Sequence, residues 1–210
     1  LHQPQFVGYH MAKAKGFYAE AGLDVEIRPG GKGISPVQDV LSGRADFGVG
    51  NTEVLTGYAN GKPLLALACV FQHSPSIFLA RRDSGILTVD GMRGKRIMMF
   101  SAHQDAELLA TLFYQGLNES QLTPIQTSVN IDDLIEGRVD IFNAYLSNEP
   151  FYLEERGIPV SVINPRNYGI DFYSDILFTT QAQEQAHPGR VERFRTASLE
   201  GWRYALAHPQ

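Results

Sequence analysis

At 210 residues the chain is long enough for one large domain or for two smaller lobes, each with its own core. Apolar residues make up 43% and charged residues 20%, the ordinary balance of a globular protein, and a net charge of -5 with scattered Lys and Arg excludes the electrostatic footprint of a nucleic-acid or anionic-membrane binder. The single cysteine, Cys69, excludes an internal disulfide and a cysteine-based metal site, and reads as a small buried hydrophobe in a strand.

Taken in chain order, residues 6–20 read as a helix stopped by Gly22, and residues 23–27 alternate apolar and polar as a strand does. The flexible loop Gly30-Gly31-Lys32-Gly33 lacks phosphate-loop spacing, and either lets the backbone approach a ligand or simply turns. Ser35 caps a helix with Pro36 in its first turn, and Asn51 or Thr52 caps another that ends near Gly61. Residues 64–71 and 77–81 are apolar runs suited to buried strands. A second series follows: a strand at 95–100, a helix at 105–116, strands at 125–129 and 140–144, a helix at 148–156, and strands at 159–163 and 176–180. A long helix at 190–207 closes it. No run approaches the ~18 apolar residues that span a bilayer. Neither end of the chain has a natural look, so it reads as an excised piece with its targeting signal out of view.

One segment occurs twice. Asp39-Val40-Leu41-Ser42-Gly43-Arg44-Ala45-Asp46-Phe47 returns ninety-four residues later as Asp133-Leu134-Ile135-Glu136-Gly137-Arg138-Val139-Asp140-Ile141. In each copy an amphipathic helix ends at a glycine, the residue that accepts the left-handed position past a helix end, and a short Arg/Asp turn enters an apolar strand. Two such helix-to-strand joints predict two equivalent α/β lobes. The chain crosses between them near residues 81–83 and 173–175. Lobe I is then residues 1–81 plus 175–210 and lobe II residues 82–174.

Several segments together carry a resemblance. They are Gln5-Phe6-Val7-Gly8-Tyr9, Lys15-Gly16-Phe17-Tyr18, Ala21-Gly22-Leu23-Asp24-Val25, Gly43-Arg44-Ala45-Asp46-Phe47-Gly48, Gly91-Met92-Arg93-Gly94-Lys95-Arg96-Ile97 and Asn148-Glu149-Pro150. In this order the set resembles the NMT1/THI5-like family of type II periplasmic solute-binding proteins. The resemblance implies an α/β, two-lobed periplasmic-binding-protein type II fold with a ligand cleft between the lobes, and a periplasmic or extracytoplasmic home. It implies a small organic ligand, best matched by an aminopyrimidine of the thiamine-precursor kind, and a partner that is either an ABC permease or a fused membrane signalling module. Receptors for sulfonate or nitrate and fungal pyrimidine synthases are the family's other outcomes. The synthases carry a cysteine-rich iron-binding segment that this chain lacks. No H-E-x-x-H, G-x-S-x-G or paired Cys-x-x-Cys is present, so the expectation is a binding protein without cofactor or metal rather than an enzyme.

The family's pyrimidine site implies aromatic faces for stacking and a carboxylate for the amino edge. Glu149 is the matching acid, with dipole stabilisation of its own helix as the competing role. Tyr145 ends the second-lobe strand, and Asn51, Thr52 and Glu53 follow the first-lobe strand at the equivalent place. Gln5, Phe6 and Tyr9 begin the first helix: if it opens on the cleft, Gln5 and Phe6 line it, and Tyr9, one turn deeper, is either core or ligand contact. His73 follows a strand, His103 opens a helix, and Tyr173 and Asp175 sit at the return crossing.

Overall fold

Both copies of the repeated segment fold into the same joint. In the computed structural model, which describes residues 4–31, 33–100, 104–126, 128 and 130–209, Gly43 and Gly137 take φ of +72° and +71°. The following Arg N–H returns to the Asp carbonyl, Arg44 to Asp39 at 2.9 Å and Arg138 to Asp133 at 2.8 Å. The next N–H does the same, Ala45 to Asp39 at 3.2 Å and Val139 to Asp133 at 3.1 Å. The arginine side chain then folds back on the same aspartate. Arg44 Nε donates to Asp39 Oδ1 at 2.9 Å, and Arg138 Nε donates to Asp133 Oδ1. A Cβ at either position would meet nothing within 4 Å, so it is the left-handed φ, which glycine adopts without strain, that accounts for the shared residue.

Among the described residues the elements run α1 (Val7–Ala14), α2 (Phe17–Glu20), α3 (Pro36–Leu41), β1 (Gly48–Gly50), α4 (Thr52–Ala59), β2 (Leu64–Phe71), β3 (Ser76–Arg81), β4 (Arg96–Met99) and α5 (Ala106–Tyr114). They continue through β5 (Thr123–Gln126), α6 (Asp132–Ile135), β6 (Ile141–Tyr145), α7 (Glu149–Glu155), β7 (Val160–Ile163), β8 (Ser174–Thr180), α8 (Gln181–Ala186) and α9 (Pro188–Ala207). The chain divides into two compact units. One comprises residues 1–50, 57–69 and 175–210, and the other residues 51–56 and 70–174.

The first unit holds a three-stranded sheet in the order β1-β8-β2, with Val49 opposite Leu177 in an antiparallel pair. Helices α1 and α2 pack on α9. Tyr18 stacks on Phe194 and its hydroxyl meets buried Ser198 at 2.9 Å; Phe47 stacks on the same Phe194 ring. Ser35 caps α3 as expected, its hydroxyl accepting from Gln38 N at 3.3 Å with Pro36 in the first turn. Three expectations need correction. The helix at 6–20 is interrupted at Gly16, whose φ of +82° separates α1 from α2. Residues 23–27 alternate between half-buried and exposed, yet join neither sheet. β2 is half-buried along most of its length, and so is Cys69 within it, where burial raises the thiol pKa.

The second unit is built on a five-stranded sheet in the order β5-β4-β6-β3-β7. β4 runs parallel to β5 and β6, while β3 is antiparallel to β6 and β7. Fully buried Ile77, Phe78, Leu79 and Ala80 make β3 the spine, with alternate residues feeding cores on the two faces of the sheet. The topology gathers four chain segments at one edge. The carboxyl ends of β4 and β6 lie beside the start of β3, where Ser76 faces Tyr145, and the end of β7 points the same way, with Ile163 opposite Phe78. At the other end Arg96 and Asp140 close the sheet through three bonds at 2.7–3.1 Å. No helix among the described residues is long and apolar enough to cross a membrane.

Candidate functional site

The gathered edge of the second unit brings together several of the residues that the sequence marks as candidates, at the place where the loops of an α/β sheet follow the strand ends. Tyr145, the last residue of β6, is half-buried and its hydroxyl lies 3.4 Å from Ser174 Oγ. Ser174 is buried and donates to Asn51 Oδ1 at 3.2 Å. This chain of three polar groups joins the end of β6 to two points where the backbone passes from one unit to the other, after Gly50 and after Ser174. Tyr173, adjacent to Ser174, is 50% exposed, and Phe100, directly after β4, is 38% exposed. Three aromatic rings and several hydrogen-bonding groups therefore share the edge.

Glu149 is tied to the chain itself. Its Oε2 accepts the Tyr145 backbone N–H at 2.7 Å and its Oε1 accepts Asn148 Nδ2 at 2.9 Å. Both bonds fix the β6-to-α7 turn, so the carboxylate orients Tyr145 at the same time as it sits in the first turn of α7. Thr52 and Glu53 are buried at the start of α4, with Asn51 half-buried before them and its carbonyl accepting Val54 N at 3.0 Å. His73 is exposed and its Nδ1 lies 2.7 Å from Asp171 Oδ2, an oxygen that Arg166 Nε also approaches at 3.5 Å.

The remaining expected residues belong to the first unit or lie outside the described residues. Gln5 is buried and Phe6 half-buried beside α1. Tyr9 is buried edge-on against Trp202 at 5.9 Å, which is core packing, and burial lifts its hydroxyl pKa above the usual tyrosine range. Asp175 is buried near Tyr9 with a φ of +46°, strained for a residue with a Cβ. His103 lies outside the described residues.

Beneath the edge lies a polar group that the sequence did not single out. Asp105 accepts Asn143 Nδ2 at 3.1 Å and Phe100 N at 2.5 Å. Asn143 turns its amide nitrogen toward Asp105. Asn143 Oδ1 is then left buried without a donor. Glu107, in the first turn of α5, is 4% exposed, and its Oε1 is also buried without a hydrogen-bond partner. Burial raises its carboxyl pKa to about 7, the nearby Asp171 carboxylate adds to the rise, and a hydrogen bond from the Ser74 hydroxyl opposes it. The signal in the sequence is an Asn within the apolar strand 141–145 and a single charged residue, Glu107, on the mostly apolar helix 106–114. No cluster of three or more His, Cys, Asp or Glu suited to a metal occurs among the described residues. A depression of about 380 Å³ lined by Arg81, Arg82, Asp83, Ile158 and Pro159 lies at the opposite end of β3 and contains none of these groups.

Comparison with known proteins agrees with the fold. The family model described as NMT1/THI5 like matches residues 3–210, and the chain belongs to that family. A riboflavin-binding protein of Chloroflexus aurantiacus is 27% identical over 98% of this chain and 60% of its own length. A formylaminopyrimidine-binding protein of Halalkalibacterium halodurans is 24% identical over 95% of this chain and 62% of its own length. The chain thus spans about three fifths of the length of these two relatives. Further matches include fungal 4-amino-5-hydroxymethyl-2-methylpyrimidine phosphate synthases. Among solved structures, the alkanesulfonate-binding protein of Xanthomonas axonopodis pv. citri superposes with a TM-score of 0.72 at 19% identity, covering 94% of this chain and 70% of that one. The chain has the periplasmic-binding-protein fold.

Proposed function

We propose that this chain is the solute-binding part of an extracytoplasmic receptor and that it takes a flat, pyrimidine-containing heterocycle at the edge of the second unit. The two units serve as its lobes. The observation that carries the reading is the grouping of Tyr145, Tyr173 and Phe100 with Asn51, Ser174 and the buried Asn143–Asp105 pair at one sheet edge. Ring faces suit a flat heteroaromatic, and the polar groups suit its substituted rim. A formylaminopyrimidine-type solute is the first candidate, in keeping with one relative, and riboflavin the second, in keeping with the other. Both contain a six-membered ring with nitrogen and carbonyl or amino substituents. The expected role is binding without turnover, with an ABC permease as the partner that receives the solute. A fused signalling module is the alternative partner, and it would show itself as a ~20-residue apolar span in the flanking gene sequence.

Glu149 supports this site by holding the Tyr145 backbone. Glu149→Ala is expected to weaken binding by about tenfold or more, the cost of a lost charge-assisted hydrogen bond that orients a contact residue. Isothermal calorimetry with a formylaminopyrimidine and with riboflavin measures it. Unchanged affinity for the compound that binds would remove the α7 turn from the site.

A further inference from the structure

We propose that Glu107 is a proton-dependent positioning residue for the solute site. Neutral, it lets the segment carrying Asp171, Tyr173 and Ser174 sit against the sheet edge; ionised, it repels that segment and weakens binding. The inference rests on the site reading above. Its ground is an excess of acceptors. Asp105 has donors in Asn143 Nδ2 and Phe100 N, but Glu107 Oε1 and Asn143 Oδ1 are both buried without one. Adding a proton to Glu107 turns an acceptor into a donor and removes a charge from a buried place, the least costly way to satisfy such a group.

The charged and titratable groups around Glu107 set the direction. Asp105 stands two residues earlier at the start of the same helix. From the 165–171 segment come Asp171, Arg166 and Tyr168, whose hydroxyl accepts Val89 N at 3.3 Å. Asp171 is held by Arg166 and by His73, which belongs to the turn before β3. That turn also carries Ser74, bonded to Glu107, and Pro75, whose carbonyl accepts Leu146 N at 2.8 Å. The charge within β3 itself, Arg81, lies at the far end of the strand, paired with Asp83. A second negative charge on Glu107 therefore faces Asp171, and Asp171 is two residues from Tyr173 and three from Ser174. Displacing it disturbs the Ser174 bonds to Tyr145 and Asn51.

The test is the dissociation constant of riboflavin and of a formylaminopyrimidine between about pH 6 and pH 8.5, for the wild type and for Glu107→Gln, which keeps the shape of the neutral acid. The wild type is expected to lose about tenfold in affinity between about pH 7 and pH 8.5, and Glu107→Gln to stay flat within about twofold. The His73–Asp171 pair is present in both proteins and is therefore common to the comparison. Binding that is flat in the wild type, or a slope that persists in folded Glu107→Gln, overturns the assignment and leaves the solute reading standing. Absence of binding by both compounds at every pH overturns the solute reading and this inference with it. Should Glu107→Gln not fold, Ser74→Ala serves in its place. Removing the hydroxyl that favours ionisation moves the loss of affinity to higher pH, and an unmoved loss contradicts the proposal.

Discussion

Gly201→Ala is expected to destabilise the first unit by about 2 kcal/mol or more, read as a lower midpoint in chemical or thermal unfolding. Helices α1 and α9 approach so closely that a Cβ at Gly201 would meet the Gly8 carbonyl oxygen at 2.1 Å and Ala12 N and Cβ at 2.7 Å. Two of these three atoms are backbone, so no side chain can swing aside and the helices must separate. Alanine gains about 1 kcal/mol over glycine in a helix interior, but overpacking costs about 1–3 kcal/mol and more when backbone has to move. The clash wins. A control lies in the same helix: at Gly189 the nearest atom is the tip of the flexible Arg193 side chain, at 3.3 Å. Gly189→Ala is expected to be neutral or mildly stabilising. Equal loss at both positions would mean that close packing of α1 on α9 is not what the glycine provides.

The second large effect is a pH-dependent one. Glu107 titrates near 7 in the folded protein, against 4.5 as its ordinary value. Below about pH 4.5 both folded and unfolded chains hold the proton and the group is neutral in its effect. Between about 4.5 and 7 the unfolded chain releases the proton while the folded one keeps it, so stability falls as pH rises, and above about 7 the loss is complete. The difference corresponds to about 3 kcal/mol. Glu107→Gln removes the ionisation. Its midpoint is expected to match the wild type near pH 4.5 and to exceed it by that margin at about pH 8. A variant less stable than the wild type at both pH values would show that the carboxyl is stabilising as a charge, contrary to its burial.

The elements that were legible in the sequence are those fixed by short-range chemistry. The joints at Gly43 and Gly137 are readable because aspartate, glycine and arginine lie within six residues of one another and the arginine bonds back to the aspartate. Ser35 with Pro36 announced α3 for the same reason. Residues 23–27 show why alternation alone is insufficient: one side is more buried than the other, but a strand also needs a neighbour to pair with, and pairing is decided elsewhere in the chain. The first helix was read through Gly16 because its apolar spacing continues on both sides of the break.

At the candidate site the divide is similar. Tyr145 and Asn51 follow the two strands that the repeat marks, and Tyr173 sits at the return crossing between the two expected lobes. Glu107 and Asn143 did not stand out, since a polar residue in an apolar run becomes remarkable only when distant partners enclose it. Those partners, Ser74, Asp105 and Asp171, come from three separate stretches of chain. Tyr9 could be core or contact from its segment alone, and the Trp202 ring that packs edge-on against it comes from nearly two hundred residues on.

The central claim, that this chain binds a flat pyrimidine-containing solute, is tested most directly by thermal unfolding in the presence of a ligand panel. Whatever binds the folded state raises its midpoint by mass action. Formylaminopyrimidine or riboflavin is expected to raise the midpoint in a concentration-dependent way, with alkanesulfonates, nitrate and amino acids leaving it unchanged. A shift produced by sulfonates, nitrate or amino acids alone would contradict the account.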